Sequence, residues 1–141
     1  MDLNAFLAEN AVKVENTKYA ASDRFIGDNG NPALWEIRAL SGAEDDALRR
    51  DCQARVPVPG KRGQYTEELD VNKYMAKLAV AATAAPNLND SNLQDSYHVM
   101  GAEDLLKAML TAGEYTCYVA KVQEVCGFDR AFMEDVETAK N

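Results

Sequence analysis

The sequence holds one histidine, one tryptophan and only three cysteines, and these scarcities remove whole classes of chemistry. An odd number of thiols does not build a disulfide framework, and Cys52, Cys117 and Cys126 fit no paired C-x-x-C zinc spacing. Cys117 and Cys126 are separated by about 900° of rotation on a continuous helix, which sets them on opposite sides. Reduced thiols are expected, and a cysteine nucleophile would have His98 as its sole available imidazole. No glycine-rich phosphate loop, H-E-x-x-H or G-x-S-x-G occurs, so the usual routes to hydrolysis or nucleotide use lack their parts. Asp90, Asp95, Glu103 and Asp104 lack the one-three-five spacing and closing glutamate of a calcium loop, and read as helix-start charges. A non-enzymatic protein with no cofactor and no metal is expected.

Basic excess is missing too. Fifteen basic residues against 23 acidic ones leave a net charge of -8, which argues against nucleic-acid binding and membrane adhesion. No apolar run approaches the roughly 18 residues of a membrane span. The opening MDLNAFLAEN carries acids where a secretory signal would carry lysines, so a cytoplasmic location is expected. At 141 residues the chain suits one domain, 1–141.

What is present divides into three parts: an α/β part at 1–53, a mobile Pro/Gly basic loop at 54–65 and a helical part at 66–141. Asp2 caps a short helix with Leu3, Phe6 and Leu7 at helical spacing, which must dock to persist. Val12 to Tyr19 alternate as a strand, and Phe25-Ile26 lead into a turn whose Asn29-Gly30 tolerates positive φ. Trp35, Ile37 and Ala39 face one way, Glu36 and Arg38 the other, the period of a half-buried strand. Ser41 and Glu44 form a capping box, with Asp45–Arg49 and Asp46–Arg50 as i, i+4 pairs beyond it. The loop ARVPVPGKRGQY is excluded from helix by two prolines and two glycines, and it is locally basic.

Thr66 caps a core helix with Val71, Tyr74, Met75, Leu78 and Ala82 on one face, ended by Pro86. In PNLNDSNLQDSYHVMGAEDLLKAMLTAGEY, Asn89 caps a short helix stapled by Leu88 and Leu93, and Gly101 opens a second one that Gly113 ends. Leu105, Leu106, Met109 and Leu110 give that second helix a broad apolar face, suited either to a core or to a partner. Tyr115, Tyr118, Val119, Val122, Val125 and Cys126 make another core stripe before Gly127; Phe128, Asp129 and Met133 repeat the staple and cap, and Phe132, Val136 and Ala139 carry a last amphipathic helix. The fold class is therefore α+β, mostly α, with a small N-terminal antiparallel sheet of two or three strands and about five C-terminal helices. Flexible methionine and amphipathic tyrosine suit a partner surface, placed at Tyr97, Met100, Leu106, Met109, Leu110 and Tyr115. The basic loop adds Arg55, Lys61 and Arg62, fit for an acidic partner or a neighbouring copy.

Several stretches in combination resemble the XkdN-like tail assembly chaperones of long-tailed phages and prophages of Gram-positive bacteria. They are Arg24-Phe25 through Trp35-Glu36-Ile37, Asn72-Lys73-Tyr74, Pro86-Asn-Leu, Leu93-Gln-Asp-Ser-Tyr97, Met100 to Leu106, and Gly113-Glu-Tyr115. Where family members often carry glycine after the tyrosine, this chain has His98. The resemblance implies a tail morphogenesis factor that binds the tape-measure protein, helps recruit tail-tube subunits and is absent from the mature virion. It further implies a frameshift-extended form, and the basic loop adds self-association as a second expectation. The alternative class is a phage-encoded regulatory or inhibitory protein that acts on a host protein through the same surface.

Overall fold

The computed structural model describes residues 2–128. In chain order its strands are β1 (Thr17–Tyr19), β2 (Trp35–Ile37), β3 (Gln53–Pro57), β4 (Tyr65–Leu69) and β5 (Thr83–Ala85). Its helices are α1 (Gly42–Asp51), α2 (Val71–Ala82), α3 (Ser91–Ser96), α4 (Ala102–Met109) and α5 (Ala112–Val125). The α+β architecture with an N-terminal sheet and C-terminal helices agrees with the sequence reading.

β2 is the middle of a three-stranded antiparallel sheet in the order β1-β2-β5. Its Trp35 and Ile37 point into the core, as the period of two requires, and Tyr19 stands opposite Trp35. The turn before it closes as expected: Gly30 has φ 80°, Gly27 donates to the Asn31 carbonyl at 2.8 Å, and Ile26 bridges Pro32. The third strand comes from an unexpected place. The small residues of Thr83–Ala85 predict the end of a helix, yet the chain leaves helix at Ala82 and pairs with β2 before the cis Ala85–Pro86 bond. Thr83 is β-branched and fits a pleated strand, while its hydroxyl still donates to the Ala79 carbonyl at 2.7 Å.

The segment expected as a mobile loop is largely a hairpin. β3 and β4 pair in register from Gln53↔Leu69 to Pro57↔Tyr65, leaving only 58–64 as the turn, and Arg55 stacks on the Tyr65 ring at 4.1 Å. Prolines at 57 and 59 are tolerated because this two-stranded ribbon is all edge. α2 accordingly starts later than Thr66, with Asp70 as the N-cap accepting from the Lys73 amide at 3.2 Å.

The capping box at Ser41 and Glu44 is present, and Asp45 pairs with Arg49 at 2.9 Å whereas Asp46 and Arg50 do not pair. α1 lies beside α2, where Asp45 accepts a hydrogen bond from Tyr74 and Arg49 sits over the Tyr74 ring. Burial, aided by the Asp45 hydrogen bond, pushes the Tyr74 hydroxyl up to about 12.

α3 is capped by Asp90 and not by Asn89, its side chain accepting from the Leu93 amide at 2.9 Å. That one-residue shift removes the proposed staple and leaves Leu88 free to enter the core. Gln94 ties the region together, donating to the Leu88 carbonyl at 2.9 Å and accepting from the Gly101 amide at 3.1 Å. Gly113 does not end α4. It lies in the first turn of α5, which opens with a capping box of Thr111 and Glu114, a stronger start signal than one glycine is a stop.

One hydrophobic core joins these elements, with Ile37, Leu78, Leu105, Leu106, Tyr118 and Val122 among its most deeply buried members. Ala79 and Ala82 are fully buried, and their small size lets α5 lie close against α2. The Trp35 and Tyr118 rings meet edge to face at 5.1 Å between centroids, locking sheet to helix. The expected last amphipathic helix, with Phe132, Val136 and Ala139, lies outside the described residues.

Candidate functional site

The residues proposed from sequence as a partner surface fall in separate places. Leu106, Met109 and Leu110 belong to the core, at 0%, 5% and 5% exposure, so the broad apolar face of α4 is consumed internally. They are not available as a contact surface in this fold. Met100 is the opposite case, 89% exposed beside Gly101 at the entrance to α4, where it lines a shallow dent of about 260 Å³ with Val80, Glu103 and Asp104. Tyr97 and Tyr115 are half-buried. Arg55, Lys61 and Arg62 are exposed on the β3–β4 hairpin.

Tyr115 is the proposed residue that the fold places in a larger concavity. A groove of about 640 Å³ runs between α2, α4 and α5, lined on its apolar side by Met75, Tyr115, Val119 and Ala120. Asn72, Thr116 and Gln123 supply hydrogen-bonding groups, and Lys107 from the last turn of α4 supplies a positive charge. The groove exists because α5 is apolar around more of its circumference than the core uses. Tyr118 and Val122 face inward, fully buried, while Tyr115 and Val119 stand on the flank at about one helical turn from each other. Lys77, pairing with Glu103 at 3.3 Å, ties α2 to α4. Burial and the Glu103 charge both raise the pKa of Tyr115, so this lining residue keeps a neutral phenol.

Sequence reasoning assigns Met75 and Val119 to core stripes and does not single out Ala120 or Thr116. The available signal is stripe width: on α5 the apolar positions from Tyr115 to Cys126 cover more than the seam one neighbouring helix can bury.

A second apolar feature lies at the N-terminal end. The expected docked helix is only a 3-10 turn over Asn4–Phe6, although the Asp2 carboxylate does accept from the Asn4 amide at 3.0 Å. Leu3, Phe6, Val12 and Val14 are exposed by 64%, 70%, 95% and 76%, and the strand expected from Val12 is reduced to Thr17–Tyr19. Among the described residues the apolar side chains of the arm stay largely exposed, and so short an apolar helix does not persist without a dock.

Among the described residues no helix is long and apolar enough to cross a membrane, and no group of three or more His, Cys, Asp or Glu could hold a metal. Cys52 is buried and its thiol pKa is raised by burial, the state of a packing residue and not of a nucleophile.

The chain is similar to two proteins of Bacillus subtilis strain 168. It is 29% identical to the uncharacterized protein YqbN, covering 99% of this chain and 93% of that protein. It is 26% identical to the phage-like element PBSX protein XkdN, covering 99% and 94%. The crystal structure of YqbN superposes with a TM-score of 0.76 at 25% identity, covering 92% of this chain and 98% of that one. The family of phage XkdN-like tail assembly chaperone proteins matches residues 3–140, from the exposed arm through the core helices, and the chain belongs to that family.

Proposed function

We propose that this protein binds apolar helical segments of the tape-measure protein in the groove between α2, α4 and α5, without catalysis. In that role it acts in the bacterial host cytoplasm during tail morphogenesis, helps bring tail-tube subunits to the tape measure, and leaves before the virion is complete. The observation that carries this reading is an open apolar groove standing outside a core that is already complete. A tape measure is a very long, largely helical chain whose apolar faces aggregate until tube subunits enclose them. A mainly apolar groove with a tyrosine and one lysine in its lining suits such a client, because it covers an apolar stripe while leaving the helix's polar face wet. Weak contacts repeated along the client supply retention without blocking later displacement by the tube.

The test is co-expression with the tape-measure protein encoded in the same tail gene cluster, reading the soluble fraction of that client. Ala120 is exposed and on α5, so Ala120→Glu places a charge in the groove while leaving the core intact. Soluble client should fall to the level seen without chaperone, and Met100→Glu, outside the groove, should leave it unchanged. Full solubilisation by a folded Ala120→Glu protein rejects the groove as the client site.

A further inference from the structure

The exposed N-terminal arm and the groove have matching chemistry, and both stand open among the described residues. Leu3, Phe6, Leu7, Ala11 and Val14 fall at steps of three and four, the stripe of an amphipathic helix, yet the arm is helical only over Asn4–Phe6. From Asp2 to Asn16 its charged residues are Asp2, Glu9, Lys13 and Glu15, an acidic excess. The groove is apolar with Lys107 in its lining, and Lys107 has no ion-pair partner among the described residues. An acidic amphipathic helix is the ligand such a groove accepts.

The geometry also says whose groove. The arm joins the fold at β1, whose Tyr19 ring stands 6.2 Å from the Tyr118 ring and 5.9 Å from the Lys121 ammonium. At the helical step, Lys121 lies about 170° and Tyr118 about 130° around α5 from the middle of the groove-lining set. The arm therefore departs on the far side of α5 from its own groove, across the helix and the core beneath it. We infer that the arm of one copy folds as a helix into the α2–α4–α5 groove of a second copy, occupying it as a stand-in for client.

This rests on the groove's being a helix-binding site, and it adds that free chaperone is a self-associated store that client must open. The contact sets the arm of one copy in the groove of the other and closes with two-fold symmetry when two copies exchange arms. Sedimentation equilibrium of the full chain tests it. Wild type should show concentration-dependent association. Phe6→Glu, at an exposed position of the arm, and Ala120→Glu in the groove should each sediment as monomer. An equimolar mixture of the two should associate again as one-to-one pairs, because each variant retains the half that the other lacks. A monomeric wild type, association that survives either substitution, or a mixture that stays monomeric overturns the inference. Client solubilisation separates the two proposals. Phe6→Glu should solubilise the tape measure at least as well as wild type; loss of self-association in Ala120→Glu with client solubilisation intact would remove the client reading alone.

Discussion

His98 sits at φ 57°, the left-handed region, and it is the non-glycine residue with positive φ among the described residues. The cause is the end of α3. The His98 amide donates to the Asp95 carbonyl at 3.1 Å and the Val99 amide to the Gln94 carbonyl at 3.2 Å, the crossed pair of a Schellman motif with His98 in the glycine position. α5 ends the same way with the preferred residue: Gly127 at φ 93° donates to Glu124 at 3.1 Å and Phe128 to Gln123 at 2.9 Å. A side chain in this conformation costs about 1–2 kcal/mol. Glycine avoids that cost but loses about 0.5–1 kcal/mol in added unfolded-state freedom. The imidazole is exposed, so its removal gives up little packing. His98→Gly should therefore stabilise the fold by about 0.5–1 kcal/mol, which at this chain length is about 2–3 °C in thermal midpoint. His98→Val, β-branched and least tolerant of positive φ, should lower the midpoint. Calorimetric scans of the three proteins decide the matter. A glycine variant that melts lower than wild type, or a valine variant that melts with it, refutes the assignment of strain to this turn.

Tyr118→Phe should cost about 1 kcal/mol, since it deletes one buried hydrogen bond, 2.6 Å to Thr83, while Thr83 keeps its bond to Ala79; urea midpoints at constant m-value read it. Burial pushes the Tyr118 hydroxyl up to about 12, and a phenol raised in the folded state stabilises fully below 10 and loses that contribution as pH climbs from 10 through 12. The phenylalanine variant should show a shallower alkaline decline over that range. At the acid end, Glu44 is held down to about 2 by hydrogen bonds from the Arg38 guanidinium and the Ser41 amide. Glu114 reaches about 2 through the Ser22 hydroxyl, the Thr111 amide and Arg24. Lowered carboxylates leave the unfolded chain binding more protons below 4.5, so stability should hold above that pH and fall between 4.5 and about 2. Glu44→Gln and Glu114→Gln should each flatten that acid slope in a urea titration.

Elements with several local signals in agreement were legible. The capping box at Ser41, the Asn29-Gly30 turn and the Gly127 stop each rest on a side-chain bond or a positive φ, the strand at Trp35 rests on its alternation, and each stands where those signals put it. Boundaries went astray where one signal stood alone. Thr66 and Asn89 are good caps by residue type, but Asp70 and Asp90 are good caps too, and what selects them is hairpin pairing on one side and core entry of Leu88 on the other. β5 has three small or β-branched residues, and nothing local tells a strand of that length from a helix end. Its partner, β2, lies nearly fifty residues earlier, so pairing is a tertiary decision.

The candidate site was legible to a smaller degree, for a reason that follows from burial itself. A broad apolar face on a short helix is a candidate for display, yet α4 has little backbone of its own to hold it and survives by sinking that face into the core. Leu106, Met109 and Leu110 are therefore structural because they are so apolar. A binding surface that stays wet while empty has to be partly polar, and the groove obeys this: Thr116 and Gln123 stand among Tyr115, Val119 and Ala120 along α5. The same reasoning separates the arm from the core. Leu3, Phe6 and Leu7 stay exposed because a few turns of helix cannot compensate their own ordering without a partner, which makes their exposure conditional on what the groove of another molecule holds.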